Sequence, residues 1–143
     1  MAFNPNAMTF SQGIQRIKDA CKASNLDISQ SIVTSRDGAV KKALSDLEVT
    51  NVPSGFVKFQ LPVSFDKATQ TYLSFGSPRT KVPPHSHDEG AGLRVILSGS
   101  IIFQGADLTA GDWMYIPAGK SYEFEVGPMG VGMFYCYECC CAS

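Results

Sequence analysis

Both histidines of the chain fall in one tripeptide, His85-Ser86-His87. Side chains two residues apart on an extended strand point to the same face, so both imidazoles can address one point. Two neutral imidazoles suit zinc, iron, nickel or copper. Asp88 and Glu89 follow at once and put an oxygen ligand within reach, while Pro83-Pro84 stiffens the strand entry. Taken alone, the same tripeptide also fits two ordinary surface histidines at a strand end.

The residues downstream extend the pattern. Gly99 closes the stretch that the histidines open, and Gly111 is followed by Pro117-Ala118-Gly119. On these residues the segment from His85 to Tyr122 resembles the cupin family. That family's first motif joins two histidines, a glutamate and a closing glycine; its second joins glycine, proline, glycine and a histidine. The resemblance implies a mainly β fold, a double-stranded β-helix or cupin jelly roll, with a metal inside the barrel.

The match departs from the family at two ligand positions. In family register the glutamate falls on Gly92 and the second-motif histidine on Tyr122. The resemblance therefore implies a divalent transition metal on His85 and His87, with Glu89 as a carboxylate swinging in from the loop. Tyr122 would bind or line the site through its hydroxyl. Iron(II) is the expected metal, with zinc, nickel or manganese as alternatives. In the same register Arg94 shares an inward face with Gly92 and Ile96. A guanidinium inside a small barrel is unfavourable unless paired. Its partner would be a carboxylate or enolate of a substrate, or an internal acid such as Glu89, Glu123 or Glu125. The implied activity is a dioxygenase acting on a small carbonyl or phenolic compound. Arg94 would neutralise developing charge and Tyr122 would donate a hydrogen bond or proton, as the catalytic pair. An isomerase or lyase, or a non-enzymatic small-ligand or metal sensor, would use the same parts. The resemblance also implies a homodimer.

The elements that must position these groups change character near residue 50. Phe10, Ile14, Ile17 and Cys21 recur at helical spacing, and Thr9 with Gln12 forms a capping box at the start. A second helix is expected from about Asp37 to Glu48, with Val40, Leu44 and Leu47 on one side. Residues 1–50 thus read as an N-terminal helical extension, packing on the barrel or on a partner subunit, and residues 51–143 as the barrel. Phe56 to Leu61 alternates as a strand, and Phe65–Gln70 bridges to Thr71–Phe75 as a hairpin. Leu93–Leu97 reads as a strand buried on both faces. Ser100–Ala110 reads as a tight hairpin, and Tyr122–Val126 as a half-buried strand with Glu123 and Glu125 outward. Phe103, Met114, Ile116, Phe124, Met133 and Tyr135 would line the interior. Trp113 and Tyr115 would face the other sheet surface.

Composition bounds the partners. The 143 residues suit one domain, and a hydrophobic share of 44% suffices for a core. Twelve basic and thirteen acidic residues give a net charge of −1 with no basic block, which argues against nucleic acid or an acidic membrane surface as partner. A small molecule is the expected partner. The opening residues lack a signal-peptide pattern, and no stretch approaches the roughly 18 apolar residues of a spanning helix. Four of the five cysteines, Cys136, Cys139, Cys140 and Cys141, crowd the C-terminus, where they cannot close long loops. A reducing cytoplasm is expected. The tail thiols could take a soft metal or act as a redox switch.

Overall fold

A computed structural model describes residues 7–138 of the chain; the tail cysteines Cys139 to Cys141 lie outside that range. The chain divides into two compact units, Met1–Ile28 with Arg36–Ser64, and Ser29–Ser35 with Phe65–Ser143.

The first unit is built on two helices. Helix α1 (Phe10–Ala23) begins at the expected capping box. Gln12 N–H donates to Thr9 Oγ1 at 3.1 Å, and Thr9 N–H donates to Gln12 Oε1 at 2.8 Å, which satisfies two orphan donors of the first turn. Helix α2 (Gly38–Asp46) is shorter than expected and stops at the Leu47 cap. Ile17, Ala20 and Cys21 of α1 pack with Ala43 and Leu47, whereas Phe10, on the same periodic stripe, is 84% exposed in the first turn. Arg16 Nη2 donates to the carbonyls of Asp46 (3.1 Å) and Glu48 (2.6 Å), and its Nη1 donates to Gln60 Oε1 (3.1 Å). A cation thereby meets the unsatisfied carbonyls at the end of α2.

The strand expected over residues 56–61 does not form. That segment is tied back to the end of α2 through Val49 N–H on Lys58 O, Gln60 N–H on Leu47 O and one isolated bridge, Glu48 with Phe59. The two hydrogen bonds leave no run of ladder positions for a hairpin. Thr71–Phe75 finds its partner elsewhere.

The second unit is an antiparallel β structure of seven strands: β1 (Val33–Thr34), β2 (Gln70–Gly76), β3 (Lys81–His85), β4 (Gly92–Phe103), β5 (Ala106–Thr109), β6 (Trp113–Ile116) and β7 (Tyr122–Tyr137). The order is β1-β6-β4-β7-β2, with β3 added to β7 and β5 to β4. The fold class is the expected one, mainly β and of jelly-roll type, with helices at the N-terminal side of the sequence. The expected hairpin after β4 is present: Gln104 (φ 49°) and Gly105 (φ 78°) both take positive φ, as a two-residue turn matched to strand twist requires. Ile96, Ile101, Phe103, Leu108, Met114, Ile116, Phe124, Val126, Val131 and Met133 fill the interior. Among the described residues no helix is long and apolar enough to cross a membrane.

Strand β7 is long enough to serve two neighbourhoods. Its first part pairs with β3, its second with β2, and β4 runs beside both. The change happens where Gly99, at φ 65°, lies against the Gly130 carbonyl, which a Cβ at position 99 would strike. Gly99→Ala should therefore destabilise this unit by about 3 kcal/mol, combining left-handed backbone strain with backbone overlap. A urea midpoint equal to that of the unaltered protein would contradict this reading of the crossing.

Candidate functional site

The site assembles where β3 ends and β7 begins. His85, the last residue of β3, pairs with Tyr122, the first of β7. His87 lies just beyond, held through its carbonyl by Gly119 N–H at 3.0 Å, so the second glycine turn positions the second histidine. Both imidazoles are half-buried. Their ring centres are 5.2 Å apart, edge to face at 87°. His85 leans on the Tyr122 ring at 4.4 Å and His87 on the Tyr137 ring at 4.5 Å.

The Tyr122 hydroxyl joins three groups. Arg94 Nη2 donates to it at 3.2 Å, Tyr137 Oη lies 2.8 Å away, and His87 Nε2 lies 3.3 Å away. One assignment satisfies all three: Tyr122 oxygen accepts from Arg94 and Tyr137, and its own proton goes to His87 Nε2. His85 Nδ1 is 2.8 Å from the Pro83 carbonyl, which fixes the proton there and leaves Nε2 as the free nitrogen.

Arg94 points into the barrel, as the register implies, and is only 8% exposed. Four rings surround its Cζ: Tyr135 at 4.5 Å, Phe124 at 5.3 Å, Tyr137 at 5.8 Å and Tyr122 at 5.9 Å. Each cation–π contact in such a desolvated place contributes on the order of 1–2 kcal/mol. These contacts offset part of a desolvation penalty of several kcal/mol. Its hydrogen bonds are poorer. Among the described residues Tyr122 supplies the oxygen acceptor that meets it in good geometry, Nη1 reaches the Met133 sulfur at 3.9 Å, and Nε is buried with no acceptor. The acids expected to pair with it do not reach it. Glu89 and Glu123 are exposed, and Glu125 stands opposite Arg79 at 4.0 Å. Nor is Tyr137 an anion: burial pushes its phenol well up, against the pull of Arg94.

Tyrosines occupy the space at the two positions, Gly92 and Tyr122, where the resemblance drawn from the sequence would put ligands. Tyr122 stands in the histidine position. At the glutamate position, a Cβ on Gly92 would run into the Tyr137 ring.

These donors decide what a metal would find. Among the described residues no three of His, Cys, Asp and Glu come together. Glu89 sits exposed in the turn after His87, and His85, His87 and Glu89 do not form a three-donor group among the described residues. The His85–His87 spacing itself matches the ~5 Å between ring centres of two imidazoles sharing an ion at ~2.1 Å. Against that, His87 Nε2 is already engaged by the Tyr122 hydroxyl at 3.3 Å, and that one hydroxyl separates it from the guanidinium. Over ~6 Å at an effective dielectric of ~20, unit charges repel by ~3 kcal/mol, and a divalent ion by twice that. The iron triad does not fit this arrangement.

Two residues escaped the sequence reading. Tyr137 belongs to the site because the inward parity of β7 flips: Tyr122, Phe124 and Val126 are buried before the glycines at 127 and 130, and Val131, Met133 and Tyr137 after them. Tyr137 continues the inward face of Met133 and Tyr135 and stands next to the cysteine-rich tail, and nothing local marks it as a partner of Tyr122. Glu138 accepts the backbone N–H groups of Asp66 (2.7 Å), Lys67 (3.3 Å) and Ala91 (3.3 Å). It fastens the loop that follows His87 to the segment before β2, and no local pattern marks it. Trp113 and Tyr115 are buried, Tyr115 edge-on against Phe65 at 5.8 Å. Cys136 lies in β7 as a buried free thiol.

Topology and site together describe a jelly-roll β unit whose interior carries a caged organic cation. No family model and no curated protein matches the sequence. Among solved structures the chain is similar to a cupin protein from Bacteroides fragilis, at 22% identity over 56% of this chain and 70% of that one, with a TM-score of 0.43. It is similar to a Ralstonia eutropha protein of unknown function with a cupin-like fold (19% identity, TM-score 0.46), covering 52% of this chain and 49% of that one. It is also similar to a Klebsiella pneumoniae protein with a double-stranded β-helix domain, at 18% identity over 53% of this chain and 67% of that one, with a TM-score of 0.45.

Proposed function

We propose that the β unit is a binding module for a small organic molecule, taken up where His85, His87 and Tyr122 meet. The observation that carries this reading is the Tyr122 hydroxyl, which engages Arg94, Tyr137 and His87 at once. The polar end of the barrel is thereby organised by its own side chains, beside stacked rings, as small-molecule sites commonly are. A cleft of ≈ 240 Å³ lined by Pro84, Phe103, Gln104, Ser121, Tyr122 and Glu123 adjoins the same tyrosine.

A second reading is a metal-dependent dioxygenase of a small carbonyl or phenolic compound. It is favoured by the edge-to-face approach of His85 and His87 at 5.2 Å. In it Arg94 and Tyr122 would hold the charge of the substrate. Elemental analysis and native mass spectrometry of protein purified without chelators or nickel resin separate the two. The binding reading expects metal far below one ion per chain. One equivalent of metal, lost on His85→Ala, would overturn it in favour of the second.

A further inference from the structure

We infer that the molecule held by the β unit is a small organic monoanion, a carboxylate or enolate, and that Arg94 is its counter-ion. This rests on the binding reading above and adds the charge of the ligand to it.

Four observations lead there. Arg94 is more than nine-tenths buried, and a guanidinium stays protonated at any ordinary pH. Among the described residues no acidic side chain is paired with it: Glu89 and Glu123 are exposed and Glu125 faces Arg79. Tyrosine does not compensate it either, because Tyr137 is held neutral by burial. Finally, among the described residues Nε has no acceptor and Nη1 has only a thioether sulfur at 3.9 Å, so two of the three guanidinium nitrogens lack an oxygen partner there. Buried polar groups are satisfied in the great majority of folded proteins, and each exception calls for a cause. A carboxylate provides what is missing, two acceptor oxygens and one negative charge in the planar geometry that a guanidinium matches.

The surroundings restrict the anion further. The rings of Phe124, Tyr135 and Tyr137 stand within 5.8 Å of the guanidinium carbon, so the body of the ligand meets aromatic walls. A flat, apolar carboxylate or enolate suits them better than a heavily hydrated dianion such as phosphate. His85 and His87, half-buried at the outer end of the network, are the groups such a ligand would pass.

Benzoate and benzamide share a shape and differ in charge, which makes them the probes. Calorimetric titration of the full chain at neutral pH should show benzoate binding roughly tenfold or more tighter than benzamide, the usual gain of a charge-assisted hydrogen bond. Arg94→Met should erase that preference and Arg94→Lys should retain part of it. Should Arg94→Met fail to fold by circular dichroism, Arg94→Gln replaces it: the charge is gone while polar donors remain, so the preference should be lost, and its retention would overturn Arg94 as the counter-ion. Equal binding of the two probes would overturn the anion while leaving a binding module. Binding of neither would overturn the anion and the binding reading together.

Discussion

Tyr122→Phe is expected to cost the β unit about 2–4 kcal/mol, because it removes the one oxygen that accepts from a buried guanidinium. Arg94 would keep its ring contacts and lose its remaining charge-assisted bond. Tyr137 and His87 would each lose a partner as well. The effect should be non-additive. In an Arg94→Met background the cation is gone, and a buried cation replaced by an apolar chain of similar length is often neutral or stabilising. Tyr122→Phe should then cost less than half as much. Trp113, the chain's single tryptophan, is buried in this unit and reports its unfolding in urea by fluorescence. Additive losses in the double-mutant cycle would show that hydroxyl and guanidinium are not coupled.

Gly92→Glu should be at least as damaging, by about 3–5 kcal/mol, although it restores the acid of the cupin pattern. The new side chain would be driven into the Tyr137 ring and would bring a carboxylate into a packed interior. Metal content should not rise. Gly92→Glu with Tyr137→Ala opens the space and should recover part of the loss, now with a carboxylate close to Arg94. A stable Gly92→Glu single variant that binds metal would mean that Tyr137 yields easily and that the tyrosine does not define the site.

Much of this was legible in the sequence because it is written at short range. The Thr9–Gln12 box, the stripe of Ile17 and Cys21, and the inward direction of Arg94 follow from periodicity or register, whereas of the two histidines expected on one strand His85 ends β3 and His87 lies beyond it. The failures are of longer range. The strand expected at 56–61 has the right alternation, but its backbone is taken by Leu47 and Val49 and gains no ladder. Glu89 lies two residues after His87 in sequence, yet it is exposed in the turn it occupies. Tyr137 shows its role only through its contact with the Tyr122 hydroxyl, fifteen residues away, and Glu138 only through three backbone donors from two distant loops. Adjacency predicted a metal ligand; tertiary packing assembled two tyrosines and a cation instead.

The most direct measurement is a crystal structure grown with 4-bromobenzoate and recorded at the bromine absorption edge. A bromine peak inside the barrel end, with the carboxylate on Arg94 and the Tyr122 hydroxyl still bonded to His87, is the expected result. An ion seated between His85 and His87, with no bromine near Arg94, would contradict it.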